Sequence, residues 1–292
     1  MDTFHTVVDF LQLVALTTFG QLVSLLGIFF VAGLILYLLA RFTRNSFSKI
    51  SSRKLDVILT GWLGTPVHEL GHAFFCVIFA HRITAIKLYR PNAGDGSLGY
   101  VQHSYNSNST YQKIGNLFIG AGPVILGAIV LYAVMYLLLP NQKPVAQLIA
   151  SSGLRINNIM DITTHWDTIY AAAAAMLEHI FHPDNFSEVK FWVFVYLSIC
   201  IASHMELSPA DLKGMMHGLL PLILLLLVVN LIALLAGHDI SQYIFYAGSY
   251  VGMFFGVYVY AIMVSLLNFL VSYLLLSVYS LLRYRRLYNP VF

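Results

Sequence analysis

The sequence predicts an all-α polytopic membrane protein of about six transmembrane helices, with a small β-hairpin at the membrane face. Three observations predict it. Hydrophobic residues make up 59% of the 292-residue chain and charged residues only 10%, with a mean hydropathy of +0.76, against about 25% charged in ordinary soluble domains. Apolar runs of spanning length recur from Phe10 to Leu282, whereas a secretory leader ahead of a soluble domain would confine them to one stretch. A Pro- and Gly-rich turn, Arg90 to Ser97, separates two short β-prone runs.

A bilayer core of roughly 30 Å requires about 20 apolar residues per helix. On that measure the spans fall near 18–40, 56–80, 114–139, 188–206, 214–236 and 255–282. The stretches 4–17 and 241–254 are apolar but carry polar residues, and read as interfacial helices or extensions of their neighbours. Between the second and third spans, Thr84–Tyr89 and Leu98–Tyr105 flank the turn and form the hairpin. Segment 140–187 has no continuous apolar run, and Ile156, Ile159 and Met160 among Asn157, Asn158 and Asp161 suggest amphipathic or re-entrant helices. Asp161, His165 and Asp167 read either as the lining of a hydrophilic entrance or as a solvated loop. The whole chain, 1–292, reads as one integral membrane domain.

Arg41, Arg44, Lys49, Arg53 and Lys54 form the richest basic loop, which the positive-inside rule assigns to the cytoplasm. Six spans would put the basic tail Arg283, Arg285 and Arg286 on the opposite side. That conflict points to a miscounted span, with a break in 241–282 at Gly248, Gly252 and Gly256 as the candidate. The net charge of +3 is spread over loops rather than clustered on one face, so nucleic acid is excluded as a partner and the lipid bilayer is expected. Cys76 and Cys200 lie in apolar runs and read as small buried hydrophobes.

The second span contains Thr65-Pro66-Val67-His68-Glu69-Leu70-Gly71-His72-Ala73. Two histidines four apart on a helix share a face and can hold one ion. Glu69 is angled to reach water at the metal rather than the metal itself, the division of labour in HExxH metalloproteases. Zinc lowers the pKa of such a water to about 7, and Glu69 takes the proton. With 11 His and 4 Glu in the chain, the pattern has an expectation of roughly 0.006 chance occurrences. Ionisable groups within an apolar helix cost at least about 2.5–3.5 kcal/mol, so neutral core histidines are the weaker explanation.

Zinc in catalytic sites takes three protein ligands. Cys76 lies about 12 Å along the helix from His68, too far to share an ion, and reads as packing. The polar interruption Ser203–Gly214 holds the candidates: Asp211, after the helix-breaking Pro209, is the expected third ligand, and Glu206 is its rival. His204 reads either as a partner orienting a carboxylate or as a polar helix end.

With these pieces in hand the sequence resembles the site-2 protease family of intramembrane zinc proteases. The resemblance covers roughly 55–215 and rests on His68 to His72, the hairpin 84–105, Ala121-Gly122-Pro123, and Pro209-x-Asp211 with Gly214 nearby. The family's Asn-x-x-Pro asparagine has no counterpart, since His204 and Glu206 occupy that region, and glycine follows Asp211 three residues later instead of directly. The resemblance implies a metalloprotease core with extra C-terminal helices over 214–282. It further implies Zn2+ held by His68, His72 and Asp211, and Glu69 as the catalytic base. The substrate would be a membrane protein cut in or near a transmembrane segment, and the expected location is the plasma membrane of a bacterium. Two other classes share the same residues: a zinc-dependent hydrolase of a lipid-linked substrate, and an ion-binding or transport protein.

Overall fold

In the computed structural model, which describes residues 2–50, 53–93, 97–151, 162–238 and 241–289, the chain opens with α1 (Asp2–Ile50), one helix of 49 residues. This corrects the expected basic loop at 41–54: the helix runs through Arg41, Arg44 and Lys49. The polar residues there are accommodated without leaving the helix, because the Thr43 and Ser46 hydroxyls donate to the carbonyls of Leu39 and Phe42, 3.0 and 2.8 Å away. Lys49, in the last turn, also meets the negative end of the helix dipole.

Next come α2 (Arg53–Asp56), a π-helical turn (Val57–Gly61) and α3 (Trp62–Ile78). The π-turn lies just ahead of Pro66, which removes a backbone donor from early α3. Hydroxyls from elsewhere serve its carbonyls: Tyr89 donates to Val57 at 2.9 Å and Tyr196 to Leu59 at 2.8 Å. α3 ends in a Schellman motif, with the His81 amide on the Cys76 carbonyl and the Ala80 amide on Val77. Ala80 takes φ 55° there, which turns the chain directly into the first strand.

β1 (Arg82–Lys87) pairs antiparallel with β2 (Tyr100–Ser104), Ile86 opposite Val101, with an irregularity between Ile83 and Ala85. The first strand therefore starts two residues before the expected Thr84. The hairpin lies alongside α3 instead of capping its end: His103 meets His81, Gly99 sits against Glu69, and Tyr89 reaches Val57.

α4 (Thr110–Leu138) is capped by the Ser109 hydroxyl, which accepts from the Gln112 amide. After α5 (Gln142–Ser151), α6 (Ile162–Ile180) and a 3-10 turn (Pro183–Ser187) come α7 (Val189–Ala202), α8 (Pro209–Leu235) and α9 (Ser241–Tyr284). Residues 156–161, including Asp161, and the side chains of His165 and Asp167 lie outside the described set.

Among the described residues, four helical stretches are long and apolar enough to cross a membrane: Val7–Ile50, Thr110–Leu138, Pro209–Leu235 and Phe254–Tyr284. The expected span 188–206 is instead the 14-residue α7, about 21 Å long at 1.5 Å per residue. The expected break at Gly248, Gly252 and Gly256 is absent, since α9 runs unbroken from Ser241 to Tyr284. At Gly256 the missing side chain serves packing: a Cβ there would lie 3.2 Å from the Ile149 backbone of α5.

α4 is the hub, with Leu117, Val124, Ala128 and Leu131 fully buried among the other helices. α3 runs antiparallel to it, as His72 meets Ile119 and Phe79 meets Tyr111. α8 is also antiparallel to α4, Gly120 lying by Asp211 and Met215, and Leu117 by Gly218. α7 runs alongside α3 in the same direction, Tyr196 at Leu59 and His204 at His68. Thus α7 and α8 point the same way and form one rod broken at Ser203–Ser208.

α1 and α9 are parallel, with Phe29 against Tyr258, Phe42 against Phe269, and the Lys49 ammonium 2.7 Å from the Asn289 carbonyl. The basic end of α1 and the basic tail therefore share one end of the molecule, which removes the conflict raised by counting six spans.

Candidate metal centre

Helical spacing brings the first two groups together: the His68 and His72 rings are 5.0 Å apart, one turn along α3. Each donates its Nδ1–H to a backbone carbonyl, His68 to His204 at 2.8 Å and His72 to Ile119 at 2.7 Å. A carbonyl can only accept, so in the neutral rings both Nε2 atoms carry lone pairs, and these face each other at 3.2 Å. Two lone pairs aimed at one point repel unless a cation lies between them.

Asp211 completes the cluster. One carboxylate oxygen is 3.2 Å from His72 Nε2 and the other 3.8 Å from His68 Nε2. The three ligand atoms lie within 4.8 Å of one another. A tetrahedral ion with bonds of about 2.0–2.1 Å separates its ligands by about 3.3–3.4 Å, so these residues fit a small divalent metal. The donor chemistry agrees, since two imidazoles and a carboxylate suit a borderline transition ion, whereas magnesium and calcium favour all-oxygen sets.

Asp211 is not in an interruption between spans, as expected from Pro209, but in the first turn of α8. Pro209 starts that helix instead of breaking it, as proline does at a first helical position. A capping box fixes the carboxylate: the Asp211 amide donates to the Ser208 hydroxyl at 3.2 Å, and the Ser208 amide donates to Asp211 at 2.8 Å.

Gly71 of α3 lies against Gly122 of α4, and a Cβ at 71 would fall 2.6 Å from the Gly122 carbonyl. With no side chains between them the two backbones touch, which lets the Ile119 carbonyl reach His72. Glu69 is buried, and Gly99 just before β2 abuts it: a Cβ there would lie 2.8 Å from its carboxylate. The hairpin thereby covers the carboxylate without a side chain intervening.

Glu206 is elsewhere, in a bidentate pair with Arg44 of α1 at 2.5 and 2.7 Å. His204 contributes its backbone carbonyl, while its ring bonds the Cys200 carbonyl at 3.2 Å. Asn116 bonds back to Lys113, and Cys76 is fully buried as packing. Gly214 meets nothing within 4 Å at its Cβ position, so no contact requires glycine there.

Sequence reasoning left out Ile119, Arg44, Ser208 and Gly99. Only Ser208 carried a local signal, as the Ser of Ser-x-x-Asp before an apolar run.

Outside the spans, His81 Nε2 donates to the Gln112 carbonyl at 2.8 Å, so its Nδ1 accepts from His103 at 3.0 Å. Burial, then the neighbouring His81, lowers the pKa of His103 from its ordinary value. This pair is satisfied internally and ties the hairpin to the ends of α3 and α4.

Fold and site together define a helical protein with, among the described residues, four membrane-length apolar helices and a partly buried cluster of two histidines and a carboxylate able to hold a metal. The chain matches no protein-family model, no curated protein and no solved structure.

Proposed function

We propose that this chain is an intramembrane zinc metalloprotease that hydrolyses a peptide bond in or near a transmembrane segment of a membrane protein. The observation that carries the reading is the convergence of His68 and His72 of α3 and Asp211 of α8 around one point, with a further acid, Glu69, on the helix turn that joins the two histidines. Five crossings suit the chain in a lipid bilayer: α1, α3, α4, the broken rod α7–α8, and α9. That odd count starts the chain on one side and ends it on the other, with both basic clusters on the cytoplasmic side.

When bound, zinc supplies Lewis acidity that polarises the scissile carbonyl and acidifies water. Glu69 takes a proton from the water as its oxygen adds to the carbonyl carbon. It then delivers that proton to the nitrogen as the C–N bond breaks, giving a carboxylic acid and an amine. The two backbone carbonyls on the histidines hold both rings in the tautomer that presents Nε2 inward.

A helical substrate hides its backbone and must unwind before water can attack. An extended stretch can add to the open edge of the hairpin, by β-augmentation, beside Glu69.

The test is metal analysis paired with cleavage of candidate membrane substrates in detergent. The purified protein is expected to carry about one zinc per chain. His68→Ala with His72→Ala should lose it, and full zinc occupancy in that double variant would sink the site. Glu69→Gln should keep the zinc and lose cleavage by at least about 100-fold.

A further inference from the structure

The break between α7 and α8, Ser203–Ser208, is irregular backbone packed within a bundle of apolar helices. Such backbone needs fixed anchors, because any shift moves the carbonyls and amides it presents. Two of its side chains are apolar anchors: Met205 lies over Gly127 of α4, and Leu207 over Gly33 of α1. Between them Glu206 carries a charge, which Arg44 meets with two hydrogen bonds of 2.5 and 2.7 Å. A planar fork on a carboxylate fixes direction as well as distance, which a point charge such as lysine does not.

The same six residues hold two groups of the metal cluster. The His204 carbonyl, two residues before Glu206, accepts from His68 Nδ1 at 2.8 Å. Ser208, two residues after it, holds the Asp211 carboxylate through the capping box. Arg44 thus acts on His68 and Asp211 through one short segment, although it touches neither.

We infer that Arg44 and Glu206 are a positioning pair for the metal centre, holding the Ser203–Ser208 turn so that His68 and Asp211 meet the ion together. This rests on the metalloprotease reading above. The pair makes the site depend on α1, a helix that supplies no ligand. Residues that orient metal ligands typically change metal affinity or activity by about 10–100-fold, and an effect of that size is expected here.

The experiment uses the full chain in detergent, with Arg44→Lys and Glu206→Gln as mild variants and the exchange R44E/E206R as the rescue. Zinc affinity is read by competition with a chromophoric chelator, and ligand geometry by the visible absorption of the cobalt-loaded protein. Each mild variant is expected to weaken zinc binding by about 10–100-fold and to shift the cobalt spectrum. kcat should fall while KM is unchanged. Combining them should add little, as for partners in one interaction, and the exchange should recover part of the affinity and spectrum.

Zinc affinity and cobalt spectrum equal to wild type in both mild variants would overturn the inference. So would a lowered unfolding temperature with an unaltered metal site, since the pair would then be structural alone. Failure of the metalloprotease reading looks different: wild type would bind no zinc and Glu69→Gln would cleave as wild type does. That result would overturn both.

Discussion

The α3–α4 crossing and the α1–α8 contact are both tight helix pairings built in opposite ways. At the first, Gly71 and Gly122 remove side chains so that backbone meets backbone. At the second, polar side chains bridge the gap: Gln21 and Asn230 exchange amide hydrogen bonds at 2.9 Å, and Asn230 also donates to Thr18 at 2.9 Å, all three residues being buried. The crossing delivers a backbone carbonyl to a histidine of the candidate metal centre. The polar clamp satisfies only itself. The metal centre is therefore expected to be sensitive to volume at one interface, and stability to hydrogen bonding at the other.

The largest expected effect comes from adding volume at the crossing. Gly122→Val pushes a side chain into the Gly71 backbone, which cannot rotate away, and should cost at least about 3 kcal/mol, the upper end for overpacking. Zinc binding should be lost with it, because the Ile119 carbonyl can no longer reach His72. If this variant keeps both its unfolding temperature and its zinc, the close crossing is not what aligns the site.

A smaller effect should follow at the polar clamp. Asn230→Leu strands Gln21 among apolar side chains and should destabilise by about 1–2 kcal/mol, with zinc content and cleavage retained. Adding Gln21→Leu should recover most of that loss, since replacing both partners removes the unsatisfied group, and Thr18 keeps its bond to the Val14 carbonyl. Loss of zinc in either variant would erase the contrast between the two interfaces.

The smallest effect concerns the hairpin, whose docking includes the His81–His103 bond. The folded state lowers the pKa of His103 and so favours its neutral form. Its contribution is complete above the ordinary histidine value of about 6.5 and is lost as pH falls through the depressed one. Amide exchange across β2 should therefore quicken on acidification, while His103→Gln should show a flatter pH response. Equal exchange rates at both ends of that range would remove the pair as a hairpin latch.

Much of the site was legible because its information is local. The HExxH spacing fixes two histidines on one helical face without reference to the rest of the chain, and the Pro-Gly turn between β-prone runs fixes a hairpin. Mean hydropathy and the length of apolar runs likewise determined a helical architecture. What local signals could not carry was which carboxylate stands beside the histidines. Glu206 and Asp211 are five residues apart, and the structure separates them: Arg44, 162 positions before Glu206, meets the one, and the Ser208 capping box at the start of α8 holds the other beside the histidines.

The ends of α1 and α9 show the same division. Hydropathy alone counted spans and set the two basic groups on opposite sides, since apolar length does not reveal that α7 is too short and continues in the direction of α8. Composition and periodicity determined the helices, the hairpin and two histidines of the cluster, because each depends on neighbours in sequence. The placement of the third ligand beside the histidines, the carbonyls that orient the rings and the shared end of the basic segments were decided only by tertiary packing, where contacts between distant residues choose among groups that look alike in the chain.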